Sequence, residues 1–296
     1  MTDRILDFSD EPAALSMRNA LLVIKRDEQE EVTVPFADIA VIVVSHPQVH
    51  YTNAVLCGIA NAGGAFIACG EKHLPVAMLL PLESHFTQAE RFTIQAQIAL
   101  PVKKRLWQHI VRAKIRAQAK LLKELRGTDY GLPLFVSRVK SGDPENVEAQ
   151  ASRNYWTALF ADPSFRRDRD VEDQNRHLNY GYAVLRAVVA RAVCASGLHP
   201  SLGLHHHNRY DAFCLADDLM EPFRPIVDGV VARLVDMYGK LYPLDKQAKA
   251  AMLEGLTGRF TLDGESRTLF DIVSRTASSL AAVFAGEADK LILPEL

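Results

Sequence analysis

Up to residue 80, short apolar runs alternate with polar breaks. Ala14-Leu15-Ser16-Met17, the run from Ala20 to Lys25, and Glu31-Val32-Thr33-Val34-Pro35 read as strands. Arg26-Asp27-Glu28 is the turn of a hairpin between the last two. Ile39-Ala40-Val41-Ile42-Val43-Val44 is apolar throughout, as in a strand buried on both faces. Residues 52–62 carry apolar side chains at helical spacing and stop at Gly63-Gly64, a C-terminal cap. Phe66-Ile67-Ala68-Cys69 and Val76-Ala77-Met78-Leu79-Leu80 are further short strands. The pattern predicts a small, β-sandwich-like domain over 1–80 with one helix.

Residues 81–84 read as a linker, because the hydrophobic period changes there from two to 3.6. The stretch 85–296 reads as all-α, so the expected class is α+β, a small β domain joined to a larger helical one. Ser84 caps a helix running to about Leu100. Pro101 then opens a long helix ending before Gly127. Val102, Leu106, Ile110, Ala113, Ala117 and Leu121 form its apolar stripe. Asp143-Pro144 starts a helix that runs through Phe160, with Glu148 in its first turns. Residues 163–172 form a polar loop, and helix follows from Leu178 to near Gly197. A loop over 199–208 leads into a helix that Pro222 and Pro225 kink or divide. Further helices are expected over 230–238, 253–260 and 268–284, the last ending at Gly286.

Composition narrows this only a little. The 296 residues give room for two domains, and the mixture is that of an ordinary globular chain. No apolar run is long enough to span a bilayer, and Met1-Thr2-Asp3-Arg4-Ile5 lacks the form of a secretory signal. Four scattered cysteines without a C-x-x-C pair suit a reducing cytoplasm and argue against a cysteine zinc site. A net charge of −2 does not announce a nucleic-acid binder, but the distribution is uneven. Between Lys103 and Arg126 nine Lys/Arg face a single acid, Glu124. Lys103, Lys104, Arg112, Arg116 and Lys120 lie mainly off the apolar stripe. They read either as a solvated helix face or as a phosphate-binding ridge. Arg166 and Arg167, in the polar loop, are candidate DNA contacts on the same grounds.

The chemistry concentrates near the C-terminal third. Gly-x-Ser-x-Gly, Gly-x-x-x-x-Gly-Lys-Ser/Thr and Gly-x-Gly-x-x-Gly are all absent from the sequence. His205, His206 and His207 are adjacent, so they cannot all converge on one zinc ion. Asp218 and Glu221, three apart, share a helix face. One imidazole from the triplet joined to those carboxylates is a mixed O/N set suited to Mg²⁺ or Mn²⁺, the ions of phosphodiester chemistry.

Four blocks in order then carry a family resemblance. They are Lys140-Ser141-Gly142-Asp143 with Asn146-Val147-Glu148-Ala149 and Arg153-Asn154-Tyr155-Trp156; Leu178-Asn179-Tyr180-Gly181-Tyr182; Gly203-Leu204-His205-His206; and Asp218-Leu219-Met220-Glu221-Pro222-Phe223-Arg224-Pro225 with Asp228. Together they resemble the CRISPR-associated Cas-one integrases. Glu71-Lys72-His73-Leu74-Pro75, Leu79-Leu80-Pro81-Leu82, Glu90-Arg91-Phe92 and Leu106-Trp107-Gln108 are most similar to the branch that accompanies type II effectors.

The resemblance implies a metal-dependent endonuclease and integrase in which the DNA 3′-hydroxyl attacks a target phosphodiester and inserts short spacers into a CRISPR array. It implies a homodimer built through the β domain and joined to a Cas-two dimer, acting on double-stranded DNA, with the type II effector nuclease a further candidate partner. Glu148, His206 and Glu221 take the family's metal-ligand positions, with Mg²⁺ or Mn²⁺ as cofactor. Asp218, His205, Arg153 and Arg224 are candidate auxiliary residues. The alternatives are a non-catalytic DNA-binding architectural subunit and a metallohydrolase of small phosphoesters.

Overall fold

The computed structural model describes residues 4–70, 75–81, 83–262 and 264–295. Met1, Thr2 and Asp3, the 71–74 portion of the Glu71-to-Pro75 motif, Leu82 in the expected linker, Asp263 and Leu296 lie outside the described residues. Among the described residues the N-terminal part carries β1 (Arg4–Phe8), β2 (Ala13–Arg18), β3 (Leu21–Lys25), β4 (Val32–Pro35), a 3-10 turn over Phe36–Asp38, β5 (Ile39–Val44), β6 (Val49–Tyr51), α1 (Asn53–Asn61), β7 (Ala65–Cys69) and β8 (Pro75–Leu79). They form two four-stranded mixed sheets, ordered β1-β5-β7-β8 and β4-β3-β2-β6. The hairpin at Arg26-Asp27-Glu28 pairs β3 with β4, antiparallel. Neither sheet is purely antiparallel, since β1 and β7 flank β5 in parallel and β2 pairs β6 in parallel.

β5 is buried at all six positions because it serves two cores. Ile39, Ile42 and Val44 join Leu15, Leu22, Ile24 and Val34 of the other sheet, together with Val55 and Ile59 of α1. Ala40, Val41 and Val43 belong instead to the helical core. An unbroken apolar run is what burial on both faces demands. Polar ties reinforce the junction. Tyr180 donates to the Asp7 carboxylate on β1, and Lys249 Nζ stands 3.0 Å from Asp10 Oδ1.

The remainder comprises α2 (Gln88–Gln97), α3 (Leu100–Arg126), α4 (Pro133–Arg138), α5 (Val147–Leu159), α6 (Asn175–Ala195), α7 (Cys214–Met220), α8 (Arg224–Tyr238), α9 (Lys246–Leu256), the hairpin β9 (Arg259–Leu262) and β10 (Glu265–Thr268), and α10 (Leu269–Ala285). No helix among the described residues is long and apolar enough to cross a membrane. α3 ends at Gly127 and α10 at Gly286, both left-handed, as the cap pattern predicts.

The all-α expectation for 85–296 needs a correction, the β9–β10 hairpin. The apolar residues between Leu253 and Phe260 straddle two elements. The helix starts earlier, at Lys246, where the Asp245 carboxylate accepts the Ala248 N–H at 2.8 Å, and Arg259-Phe260-Thr261-Leu262 is a strand. α2 is also shorter than expected. Ser84 bonds Gln88 and the Cys194 carbonyl instead of capping the helix directly.

The central helix α6 packs against α7, α8, α9 and α10. At Gly181 the approach of α8 and α9 is so close that a Cβ would lie 2.4 Å from Val227 Cγ1 of α8 and 3.4 Å from Met252 Sδ of α9. Gly181→Ala gains helix propensity but overpacks a buried contact. It is expected to lower stability by about 1–2 kcal/mol in denaturant unfolding. Combining it with Val227→Ala should cost less than the two single changes summed; strict additivity would show that the crowding is not there.

Candidate functional site

The site is assembled on α3, α5, the 203–206 loop and the α7–α8 corner. On α3, Ile110, Lys114 and Gln118 follow one another at four-residue spacing and all face inward. Lys114 is thus carried into the interior by the helix period. On α5, Glu148 is the second residue. The helix begins later than the Asp143-Pro144 signal suggests, after Asn146 in the left-handed region. Asp143 nonetheless caps it from outside, its two carboxylate oxygens accepting the N–H groups of Val147 and Glu148, each at 2.9 Å. Glu221 lies at the end of α7. Pro222 has no N–H to continue the helix, so residues 221–223 tighten into a 3-10 turn before α8. That turn packs on α3.

The two glutamates meet on one ammonium. Lys114 Nζ is 2.5 Å from Glu148 Oε1 and 2.6 Å from Glu221 Oε2. Ser152 donates to Glu148 Oε1 at 2.8 Å, and Arg224 Nε donates to Glu221 Oε1 at 2.9 Å. Glu221 Oε2 is buried and meets Lys114 as an ion pair.

Burial opposes the charged form of all three groups, and their mutual attraction overrides it. Despite desolvation, the Glu221 and Glu148 charges raise the Lys114 pKa, so it stays an ammonium. Burial likewise pushes Glu148 upward, but the Lys114 charge leaves it below its usual range. Against its own desolvation, Glu221 is drawn down to about 2 by Arg224 and Lys114.

Behind this cluster lies a second buried layer. The Arg224 guanidinium sits 4.6 Å from the centroid of the Tyr182 ring. Tyr182 and Tyr155 both donate to Asp228, Tyr155 at 2.7 Å to Oδ2. Desolvation dominates at Asp228 and pushes its carboxyl up to about 6.

The histidine loop is organised by Asp218, which is fully buried. Its carboxylate accepts the N–H of Leu204 at 2.6 Å, of His205 at 2.9 Å and of His206 at 3.3 Å, and His206 Nδ1 lies 2.6 Å from Oδ1. The hydrogen bond to Asp218 raises the His206 pKa, against desolvation. The turn needs Gly203, because a Cβ there would stand 2.4 Å from the His206 carbonyl oxygen. His205 stacks flat on Trp107 at 4.3 Å, and His206 meets the same indole edge-on at 5.7 Å. His207 is exposed.

Glu148, Glu221 and Arg224 therefore come together, as do His206 and Asp218, with His206 close enough to Glu221 for each to feel the other's charge. As the side chains stand, no three His, Cys, Asp or Glu among the described residues surround a point that could hold a metal ion. Arg153, Arg166 and Arg167 line the cleft of about 680 Å³ that opens over Lys114, Glu148 and Glu221. The basic residues of α3 are divided. Lys103 Nζ lies 3.5 Å from the Gly203 carbonyl oxygen, and Lys104 lies against Gly142. Arg112, Arg116 and Lys120 line a different cleft, against residues 290–295.

Lys114 is the functional candidate that the sequence pattern passed over. The signal was available, since a lysine four residues after Ile110 on an amphipathic helix falls on its apolar face. Tyr155, Tyr182 and Asp228 all stand in the blocks that carry the family resemblance, but nothing in their spacing pairs them with one another.

The sequence pattern described as CRISPR associated protein Cas1 matches residues 8–240. A CRISPR-associated endonuclease Cas1 of Neisseria meningitidis serogroup C (strain 8013) is 36% identical over 286 residues, 95% of this chain and 93% of that one. Among solved structures, a casposase bound to integration product superposes with a TM-score of 0.80 at 18% identity, covering 97% of this chain and 92% of that one. A Cas6-RT-Cas1–Cas2 complex gives a TM-score of 0.77 at 16% identity, covering 100% of this chain and 36% of that one. At those identities the likeness is one of fold.

Asp228 makes a pH test of this interior. Its folded pKa, about 6, lies above the ordinary 3.8, so the folded state holds a proton that the unfolded chain releases. The stabilisation is complete below the unfolded pKa and is lost as pH rises through the folded one. Measured by denaturant unfolding from pH 4 to 7, the stability of wild type relative to Asp228→Asn should fall by about 3 kcal/mol at most. A difference that is flat or rises with pH would contradict the assignment.

Proposed function

The chain belongs to the Cas1 family of CRISPR-associated proteins, and we propose that it is the metal-dependent integrase of CRISPR adaptation. The observation that supports this most is the meeting of Glu148 and Glu221, from separate helices, at one buried cationic point. In this reading Glu148, Glu221 and His206 hold one Mg²⁺ or Mn²⁺ ion. The residues fit such an ion chemically: two carboxylates and an imidazole form a donor set for it, and Glu221 Oε2 is a buried carboxylate oxygen already facing a cation. His206 commits Nδ1 to Asp218, which leaves Nε2 to ligate. A carboxylate fixing the tautomer of a ligating histidine is a recurrent arrangement.

A divalent ion held by Glu148, Glu221 and His206 would supply Lewis-acid stabilisation of the phosphate and of the departing 3′ oxygen. The chain's own groups do the rest. Arg153, Arg166 and Arg167 line the cleft and offer counter-charge to the DNA backbone. Arg224, lying over the Tyr182 ring, helps keep Glu221 ionised and orients it. The 3′-hydroxyl of the incoming strand forms the new P–O bond, and the target's 3′ oxygen leaves as the old one breaks. One phosphodiester replaces another, so no covalent enzyme intermediate or energy source is required. With water as the nucleophile the same site is an endonuclease.

The proposed assembly is a homodimer built through the β-rich part, 1–80, on a Cas2 dimer, and the complex captures spacer DNA and targets the repeat and leader. The likeness to a Cas1–Cas2 complex supports the partner. The Leu106-Trp107-Gln108 and Glu90-Arg91-Phe92 matches favour the type II branch, with its effector nuclease as an additional partner. A cytoplasmic location follows from that role.

Insertion of a fluorescent duplex into a supercoiled repeat plasmid, with Cas2 present, tests the proposal. Glu148→Ala and His206→Ala should each lower Mn²⁺-dependent joining on the order of 100-fold or more while the protein stays folded. EDTA should abolish joining by wild type. Undiminished joining by both variants would overturn the assignment.

A further inference from the structure

We infer that Lys114 is a built-in cation that holds the two glutamates as a pair and must withdraw before a divalent ion can bind. This deepens the metal-site reading and rests on it. Lys114 Nζ spans Glu148 Oε1 and Glu221 Oε2 at 2.5 and 2.6 Å. A divalent ion shared by both carboxylates requires oxygens at about 2.0–2.2 Å, the same space that the ammonium fills. The two cations are therefore alternatives.

Charge leads to the same conclusion. Glu148 and Glu221 carry two negative charges, already paired with Lys114 and, at Glu221, with Arg224. A divalent ion added beside Glu148 and Glu221 with Lys114 in place would set two cations at contact distance of each other, where like charges repel. Of Lys114 and Arg224, the arginine is the fixed one. Its Nε donates to Glu221 Oε1 at 2.9 Å, and its guanidinium is stacked on Tyr182. Lys114 is the replaceable one. It meets the two carboxylates from a flexible four-carbon stem, without the aromatic ring against which Arg224 lies.

Lys114 is thus a positioning residue. Without metal it keeps the carboxylates facing each other instead of repelling. With metal it is a competitor that sets how much ion is needed to load the site.

The test is Mn²⁺ affinity of the full-length protein, read from the free-ion EPR signal and independent of any activity. Lys114→Met should bind Mn²⁺ at least about tenfold more tightly than wild type, because a competing positive charge at contact distance is gone. Its melting temperature should fall without metal and recover with it. Lys114→Arg, which keeps the charge, should stay within about threefold of wild type, whereas removal of the charge should not. A folded Lys114→Met with unchanged or weaker affinity overturns the inference.

If Lys114→Met does not fold without metal, wild type labelled with ¹⁵N-lysine provides the measurement. The Lys114 ammonium resonance, assigned by its absence in Lys114→Arg, should move as Mg²⁺ saturates the site, and a stationary resonance overturns the inference. Glu148→Gln separates the two levels. If it binds Mn²⁺ as well as wild type does, the metal assignment itself fails and Lys114 has nothing to compete with.

Discussion

The Lys114 bridge between Glu148 and Glu221 is the interaction on which the arrangement of the site depends. A buried carboxylate and a half-buried one at this separation would repel, and each alone would be costly to ionise away from water. One ammonium between them turns repulsion into cohesion across α3, α5 and the α7–α8 corner. Such a bridge is not evidence of great stability, since apolar side chains of equal volume can hold helices together as well. Its consequence is specificity of position, because it fixes where the two carboxylates stand relative to each other.

Several local features exist to make that bridge possible. Asp143 holds the first turn of α5, so that Glu148 enters at a defined height. Pro222 ends α7 and tightens the turn from which Glu221 projects. Arg224, Tyr182, Tyr155 and Asp228 form a buried polar chain that supports Glu221 from behind. Asp218 performs the same service for the histidine loop, with four contacts to three successive residues. The β-rich part is not a bystander. β5 contributes to both cores, and Asp7 accepts from Tyr180 in the block that also supplies Gly181 and Tyr182.

Much of the scaffold was legible in the sequence. The apolar run of β5, the hairpin turn after Lys25, Pro101 at the start of α3 and the glycines after α3 and α10 each express a local rule, and each element forms where that rule puts it. The β9–β10 hairpin was not legible, because the apolar residues from Leu253 onward suit a helix period and the actual start is set by the Asp245 cap upstream. At the site, the pairing of Asp218 and Glu221 on one face gave the neighbourhood, and the family resemblance set Glu221 among the ligand positions and Asp218 among the auxiliary residues. Asp218 is spent on backbone N–H groups, a fact of loop closure that no spacing reveals. Lys114 was obscured for a different reason. A charged residue on an apolar stripe violates the pattern used to find the helix, and violations of that kind concentrate at functional sites.

The most direct measurement is the anomalous diffraction of a Mn²⁺-soaked crystal at the manganese edge. If the two glutamates share one ion, a single peak should lie within ligand distance of Glu148, Glu221 and His206 Nε2, about 2.0–2.3 Å from each. The Lys114 ammonium should have left the space between the carboxylates. A peak elsewhere, or a Lys114 that still bridges Glu148 and Glu221 beside a bound ion, would contradict the shared site.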